Sequence, residues 1–317
     1  MIELLPGLHL IETALGDNRL ALYLLRGERT LLIDSGVRDT PEAVVFPALT
    51  EAGLPPRIDM LLISHADADH HGGNAAVRAR APQVTILCHE LDRPRVESKA
   101  THLAGRYTAV VAADDLRYEA DLLDWLDAMI GPDTPVDIGL RGGETIQLGA
   151  GVSWEVLHTP GHSAGHLALW DSRQRVLIAQ DAVLWRGVPD RDGQLPSPPP
   201  YYDVESYVET LRRLRELRPE WLLTAHYPVI HGAEVDAFFA ESLAFVDQID
   251  AVVLEIVRAA GRPLMLGEVV AALDARLGPF AVSIQWIGPV LTHLARHVAA
   301  GRLALRCGGA ARAWVAL

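Results

Sequence analysis

The chain has 317 residues, half of them apolar and 22% charged, with a formal net charge of −13, and so reads as a globular protein with an ample core, spanning one large domain with an appendage or two domains. That balance argues against a surface built as a whole to grip nucleic acid or anionic membrane, and leaves room only for a local basic patch. Cys88 and Cys307 are too few and too far apart for a disulfide framework or a thiolate zinc site, and no leader-like segment or apolar run of about 18 residues occurs, which predicts a cytoplasmic protein without membrane partners.

Leu8 to Glu12, Leu20 to Arg26 and Thr30 to Asp34 read as strands of an antiparallel meander, joined by turns at Gly16-Asp17-Asn18 and Gly27-Glu28. Thr40 to Ala52 reads as a helix with Thr40 as N-cap, Pro41 in its first position and Gly53 closing it. Asp59 to Ile63 is a short buried strand, and where it should emerge stands Ser64-His65-Ala66-Asp67-Ala68-Asp69-His70-His71-Gly72-Gly73. Alternation puts His65, Asp67 and Asp69 on one side with small alanines between them. Converging imidazoles and carboxylates are costly to bury without positive charge, and a divalent ion is the usual compensation. The string is therefore a metal site in outline, with Gly72 and Gly73 letting a helix start close against it.

Thr85 to Cys88 is the next strand, followed by a polar run from Glu90 to Lys99. The acidic stretch from Asp114 to Leu126 reads as an amphipathic helix inserted over the mouth of the site, with its acids on a solvated face. Strand patterns return at 144–148 and 152–157 and as a hairpin at 167–170 and 176–179. Between them Thr159-Pro160-Gly161-His162-Ser163-Ala164-Gly165-His166 forms a fixed turn that presents His162. A proline-rich loop at 186–202 ends in Tyr201-Tyr202 and either shapes substrate access or is plain scaffold. A helix at 204–217 and a strand from Glu220 to His226 follow, then a helix at 234–260. Beyond Gly261-Arg262-Pro263 the order is two helices (267–277 and 285–300) and two short strands (302–306 and 312–316) around Gly308-Gly309, that of a small winged-helix-like module. Arginines at 262, 276, 296, 302, 306 and 312 make it locally basic. They are scattered, which favours a packing or dimerisation appendage over nucleic-acid contact. Two strand-rich blocks interleaved with helices predict an α/β protein of two stacked sheets with helices outside, an αββα sandwich.

The string at 64–73 resembles the HxHxDHxGG metal signature of the metallo-β-lactamase fold superfamily, with Asp67 where the second His normally stands. The block at 159–166 is similar to the TPGHTxGH signature of glyoxalase II-like members. The resemblance covers about residues 8 to 232 and implies a four-layer αββα catalytic domain over 1–232, with a helical insertion near 105–130. Residues 233–260 would connect it to the module at 261–317. The resemblance further implies His65, Asp67 and His162 around one metal, Asp69, His70 and His226 around a second, and Asp181 bridging them. Asp34 would support the site from behind, and His158 and His166 would be outer partners. Gln180 stands where a Gly is usual, and Ala225-His226-Tyr227-Pro228 replaces the usual context of the last His. His231 is therefore the runner-up to His226, and His71 the alternative to Asp67.

Two divalent ions, zinc first with manganese or iron as alternatives, would share a hydroxide that attacks the substrate, with Asp69 and Asp181 as the catalytic carboxylates. The expected function is hydrolysis of a small acyl ester, thioester or lactone. The alternatives are a phosphodiesterase or nuclease, since DNA-uptake proteins carry a similar HxDxDHxGG, and a diiron oxidoreductase, since flavodiiron proteins carry Glu at that position. Against two divalent ions the extra carboxylate of Asp67 leaves the centre one charge less positive than usual, which predicts weaker Lewis acids and a shift toward manganese or iron.

Overall fold

The computed structural model describes residues 1–149, 151–307 and 311–317. Its first sheet holds β1 (Ile2–Leu5), β2 (Leu8–Leu15), β3 (Asn18–Arg26), β4 (Thr30–Ile33), β5 (Met60–Leu62), β6 (Thr85–His89) and β7 (Ile138–Leu140), in chain order across the sheet. Antiparallel pairing joins β1 to β4 and parallel pairing joins β4 to β7, with helix in each parallel crossover. The second sheet holds β8 (Thr145–Gly149), β9 (Val152–His158), β10 (Leu167–Asp171), β11 (Val176–Ile178), β12 (Trp221–Leu223) and β13 (Ile230–His231), with neighbours in sequence paired. Alternation along each strand sets the layers. Tyr23 and Leu25 of β3 join Leu167 and Leu169 of β10 in the core between the sheets. On the outer face of the first sheet, Leu20, Leu22 and Leu24 pack with Val45, Phe46 and Leu49. Ala168 and Trp170 of β10 pack outward with the helices Val204–Glu216 and Ala233–Ala260 through Leu211, Val235 and Phe239. This is the four-layer sandwich expected from the sequence, and strands covered on both faces explain its long apolar runs.

Several details differ from expectation. The first crossover begins with a wide π-type turn, Pro41–Val45, before the α-helix Phe46–Glu51. The acidic stretch becomes helical only at Ala120–Met129. Asp115, Glu119, Asp121 and Asp124 are exposed as expected, but Asp114 is buried and forms a two-pronged ion pair with Arg312. The chain at 109–119 turns back to meet the C-terminal module there, and Asp115 accepts from the Gly267 amide at 3.0 Å. Strands β1, β7 and β13 had no sequence signal long enough to show alternation.

The C-terminal segment contains β14 (Leu264–Met265), the helices Leu266–Leu277 and Ile287–Ala299, β15 (Leu303–Cys307) and β16 (Arg312–Ala316), with sheet order β14-β16-β15. Gly308 and Gly309, expected between the last two strands, lie outside the described residues. Trp286 and Trp314 are both buried in its core. Four of its six arginines are paired with acids: Arg262 with Glu268, Arg276 with Glu255, Arg296 with Glu205 and Asp250, and Arg312 with Asp114. Among the described residues, no helix is long and apolar enough to cross a membrane.

Phe239 is fully buried in the helix Ala233–Ala260, which packs on both the second sheet and the C-terminal segment. Phe239→Ala is expected to lower the unfolding free energy by about 3 to 5 kcal/mol. Chemical denaturation measures this, and a loss below about 1 kcal/mol would contradict the packing described.

Candidate metal centre

The parallel strands β4 and β5 and the hairpin β10–β11 end at one edge of the sandwich, and the loops that follow them meet there. Gly72 and Gly73 allow the close approach. A Cβ on Gly72 would lie 2.3 Å from the Met129 carbonyl oxygen, and one on Gly73 would lie 2.4 Å from that of Ser35. The structure brings all seven expected ligands together. His65, Asp67 and His162 form one group, Asp69, His70 and His226 another, and Asp181 joins His65 and His70 between them. The Asp181 Oδ2 atom lies 3.8, 3.5 and 3.3 Å from the Nε2 atoms of His65, His70 and His226. Asp67 Oδ2 lies 3.0 Å from His162 Nε2, and Asp69 Oδ2 lies 3.6 and 3.7 Å from those of His70 and His226.

Each of the four imidazoles is held by its far nitrogen. His70 Nδ1 donates to Asp34 Oδ2 at 2.8 Å, His226 Nδ1 to the Arg19 carbonyl at 2.9 Å, and His162 Nδ1 to the Pro200 carbonyl at 2.5 Å. His65 Nδ1 lies 3.0 Å from Ser64 Oγ, which itself donates to Asp34. Tying Nδ1 leaves Nε2 free for a metal. Four buried atoms at the centre have no hydrogen-bond partner: His65 Nε2, His70 Nε2, Asp67 Oδ1 and Asp181 Oδ1. Orphaned nitrogen and carboxylate atoms facing one space are the donor set of a borderline divalent ion. The residues present therefore fit the expected metals.

Charge within the centre is strongly polarised. Burial would raise the Asp67 carboxyl, yet Arg106 and His162 hold it well below the usual range, and His226 and His70 do the same for Asp181. Burial raises Asp69. Burial lowers His65 well below the usual imidazole value, with His70 and His162 adding to it. Against burial, Asp181 and Asp69 push His226 up to about 9.

Five further residues contribute to the centre beyond the expected ligands and their outer partners. Arg106, buried on the turn Ala104–Thr108, donates from Nη2 to Asp67 Oδ2 at 2.7 Å. Gln180 donates from Nε2 to Asp34 Oδ2 at 2.5 Å, so the residue in the usual Gly position helps fix the carboxylate behind the site. Both Asp34 and Gln180 adopt positive φ, 63° and 45°, a cost that the surrounding hydrogen bonds offset. Asp92 accepts from Ala66 N, Ser163 Oγ and Gly165 N and so fastens the two signature loops together. Within the proline-rich loop, Pro200 holds His162 and Tyr202 stacks on Arg106 with 4.0 Å from guanidinium carbon to ring centre. The runner-up ligands are not in the cluster. His71 packs edge-on against His102, and His231 is exposed beside Glu220 and Trp221. His166 is buried against His65, with Nδ1 at 2.8 Å from Thr159 Oγ1, and His158 faces the Ala164 carbonyl.

Comparison with known proteins agrees with this geometry. The sequence profile of the metallo-beta-lactamase superfamily matches residues 16–226. The chain is 29% identical to the acyl-coenzyme A thioesterase MBLAC2 of Gallus gallus over 231 residues, 68% of this chain and 75% of that one. It is 27% identical to the probable metallo-hydrolase YflN of Bacillus subtilis over 210 residues, 62% of this chain and 74% of that one. The crystal structure of the metallo-beta-lactamase family protein TTHA1429 from Thermus thermophilus superposes with a TM-score of 0.78 at 23% identity, covering 99% of this chain and 100% of that one. The shared fold thus takes in the C-terminal segment.

Asp34→Ala is expected to loosen metal binding by about 10- to 100-fold, because His70, Ser64 and Gln180 lose their common acceptor. Competition with a chromophoric chelator measures it, and unchanged affinity would contradict the role. The metal-free protein also carries a pH signature. A folded value of about 9 for His226, above the ordinary 6.5, means that its protonated ring stabilises the metal-free fold fully below pH 6.5 and that this is lost as pH rises through 9. Thermal melts should show metal-free protein losing stability from pH 7 to 9 and His226→Gln flattening that slope; parallel profiles would contradict it.

Proposed function

The chain belongs to the metallo-beta-lactamase superfamily, and we propose that it is a dinuclear metal-dependent hydrolase of small thioester or ester substrates, lactones included. The observation that carries this reading is the convergence of four Nε2 atoms and three carboxylates, each imidazole tied at its other nitrogen. His65, Asp67 and His162 would hold one ion, Asp69, His70 and His226 the other, and Asp181 both. Bound there, divalent ions, zinc first with manganese or iron as alternatives, supply a Lewis acid and a water acidified to near neutrality. The chain's own residues do the rest. Asp69, partly open to solvent and raised by burial, orients the attacking water and takes up its proton. His162, fixed by Pro200, and His226, fixed by Arg19, keep the two halves at opposite sides of Asp181.

The preference for a thioester comes from the MBLAC2 relative, whose name gives an acyl-coenzyme A substrate. Residues 1–232 would form the catalytic unit and 261–317 a packing or dimerising module, since most of its arginines are paired with acids of this chain, three of them outside the module. Iron redox chemistry is the second reading, for which the observation is a carboxylate, Asp67, at a position normally held by nitrogen; the pairing of Asp67 with Arg106 weighs against it.

The test is turnover of a thioester, a lactone and a bis-phosphodiester by protein of known metal content. Thioester or ester cleavage is expected, and His162→Ala and Asp181→Ala should each reduce it by about 100-fold or more. Cleavage of the phosphodiester alone, or iron-loaded protein inert toward all three, would overturn the proposal.

A further inference from the structure

We propose that Arg106 is the built-in counter-ion of the metal centre, making Asp67 electrically equivalent to the neutral imidazole that the superfamily signature carries at that position. The inference rests on the dinuclear reading of the site. Arg106 is only 4% exposed, and three contacts fix its guanidinium. Nη2 donates to Asp67 Oδ2 at 2.7 Å, Nη1 donates to the His162 carbonyl at 3.1 Å, and the guanidinium carbon sits over the Tyr202 ring, 4.0 Å from its centre. The same Nη2 sits 3.4 Å from His162 Nε2, so the positive charge stands at the edge of the first ligand group itself. Among the described residues, Asp67 is the carboxylate paired with this guanidinium.

Two consequences follow from that arrangement. First, Asp67 Oδ2, the oxygen 3.0 Å from His162 Nε2 and 3.8 Å from His65 Nε2, is shared with Arg106, while Oδ1 is buried without a partner. The oxygen that faces the first ligand group is therefore the one whose charge Arg106 offsets. Second, the guanidinium cancels the charge of the extra carboxylate, so the deficit expected from the sequence does not arise, and the shift toward manganese and iron is removed with it. A buried arginine beside a ligand would be costly if that ligand were the usual neutral His. Arg106 and Asp67 thus form one exchangeable unit: each is tolerable only with the other.

That reciprocity gives the test. Metal-free wild type, Arg106→Gln, Asp67→His and the double variant are titrated separately with Zn²⁺ and Mn²⁺ against a chromophoric chelator. Arg106→Gln should strengthen Mn²⁺ relative to Zn²⁺ by about 10-fold, since Asp67 regains its full charge. Asp67→His alone should weaken Zn²⁺ by about 10-fold or more, because Arg106 then faces an imidazole, and the double variant should recover wild-type Zn²⁺ affinity. The double variant buries no unpaired charge, so it carries the test even where Arg106→Gln fails to fold. Parallel losses of both metals in Arg106→Gln, or a double variant no better than Asp67→His, would overturn the proposal and leave Arg106 a packing residue. Wild type that binds neither metal would instead refute the dinuclear reading beneath it.

Discussion

Four imidazoles and three carboxylates share one buried space at the edge of two sheets, and the rest of the molecule answers that constraint. Such groups repel one another or bury charge without solvent, so the arrangement persists only where each side chain is held from outside. Asp34 is the main support. Fully buried and at positive φ, it accepts from Ser64, His70 and Gln180, and through Ser64 it also reaches His65. Strand β4 delivers Asp34, β5 delivers the signature loop and β11 delivers Gln180, so a parallel pairing in one sheet and the end of a hairpin in the other fix a single carboxylate.

A second line of support comes from the C-terminal segment. Pro200 fixes His162, and the next residue, Tyr201, is buried with its hydroxyl 2.9 Å from His293 Nε2, whose Nδ1 lies 2.9 Å from Asp250. Gly288 packs so closely on this loop that a Cβ would lie 2.6 Å from the Tyr201 carbonyl oxygen. The proline-rich loop is therefore held between the first ligand group and the helix Ile287–Ala299. Its job is to position His162 and Arg106, and the appendage stands behind the site it appeared remote from.

Much of this was legible in the sequence. Short apolar runs bounded by turns located most strands, and the density of His and Asp from His65 to His70, with the Thr159 to His166 block, located the centre, although the extended alternation stops at Asp67 because Ala68–His71 is helical and turns Asp69 into the second group. Those signals are local, which is why they could be read. Arg106, Asp92, Gln180 and Pro200 act across 39, 71, 146 and 38 residues of chain, and nothing beside them in sequence marks their partners. Arg106 matters most among them. Counting ligand charges alone made Asp67 look like a deficit, whereas the fold supplies the cation from a turn far from either signature. Asp114 shows the same limit, since its partner Arg312 lies 198 residues away.

The central claim is that this cluster holds two divalent ions on either side of Asp181. Anomalous diffraction from crystals of protein loaded with zinc, recorded at the zinc absorption edge, tests it most directly. The account predicts two peaks, one among His65, Asp67 and His162 and the other among Asp69, His70 and His226. A single peak, or density displaced to His71 or His231, would contradict it.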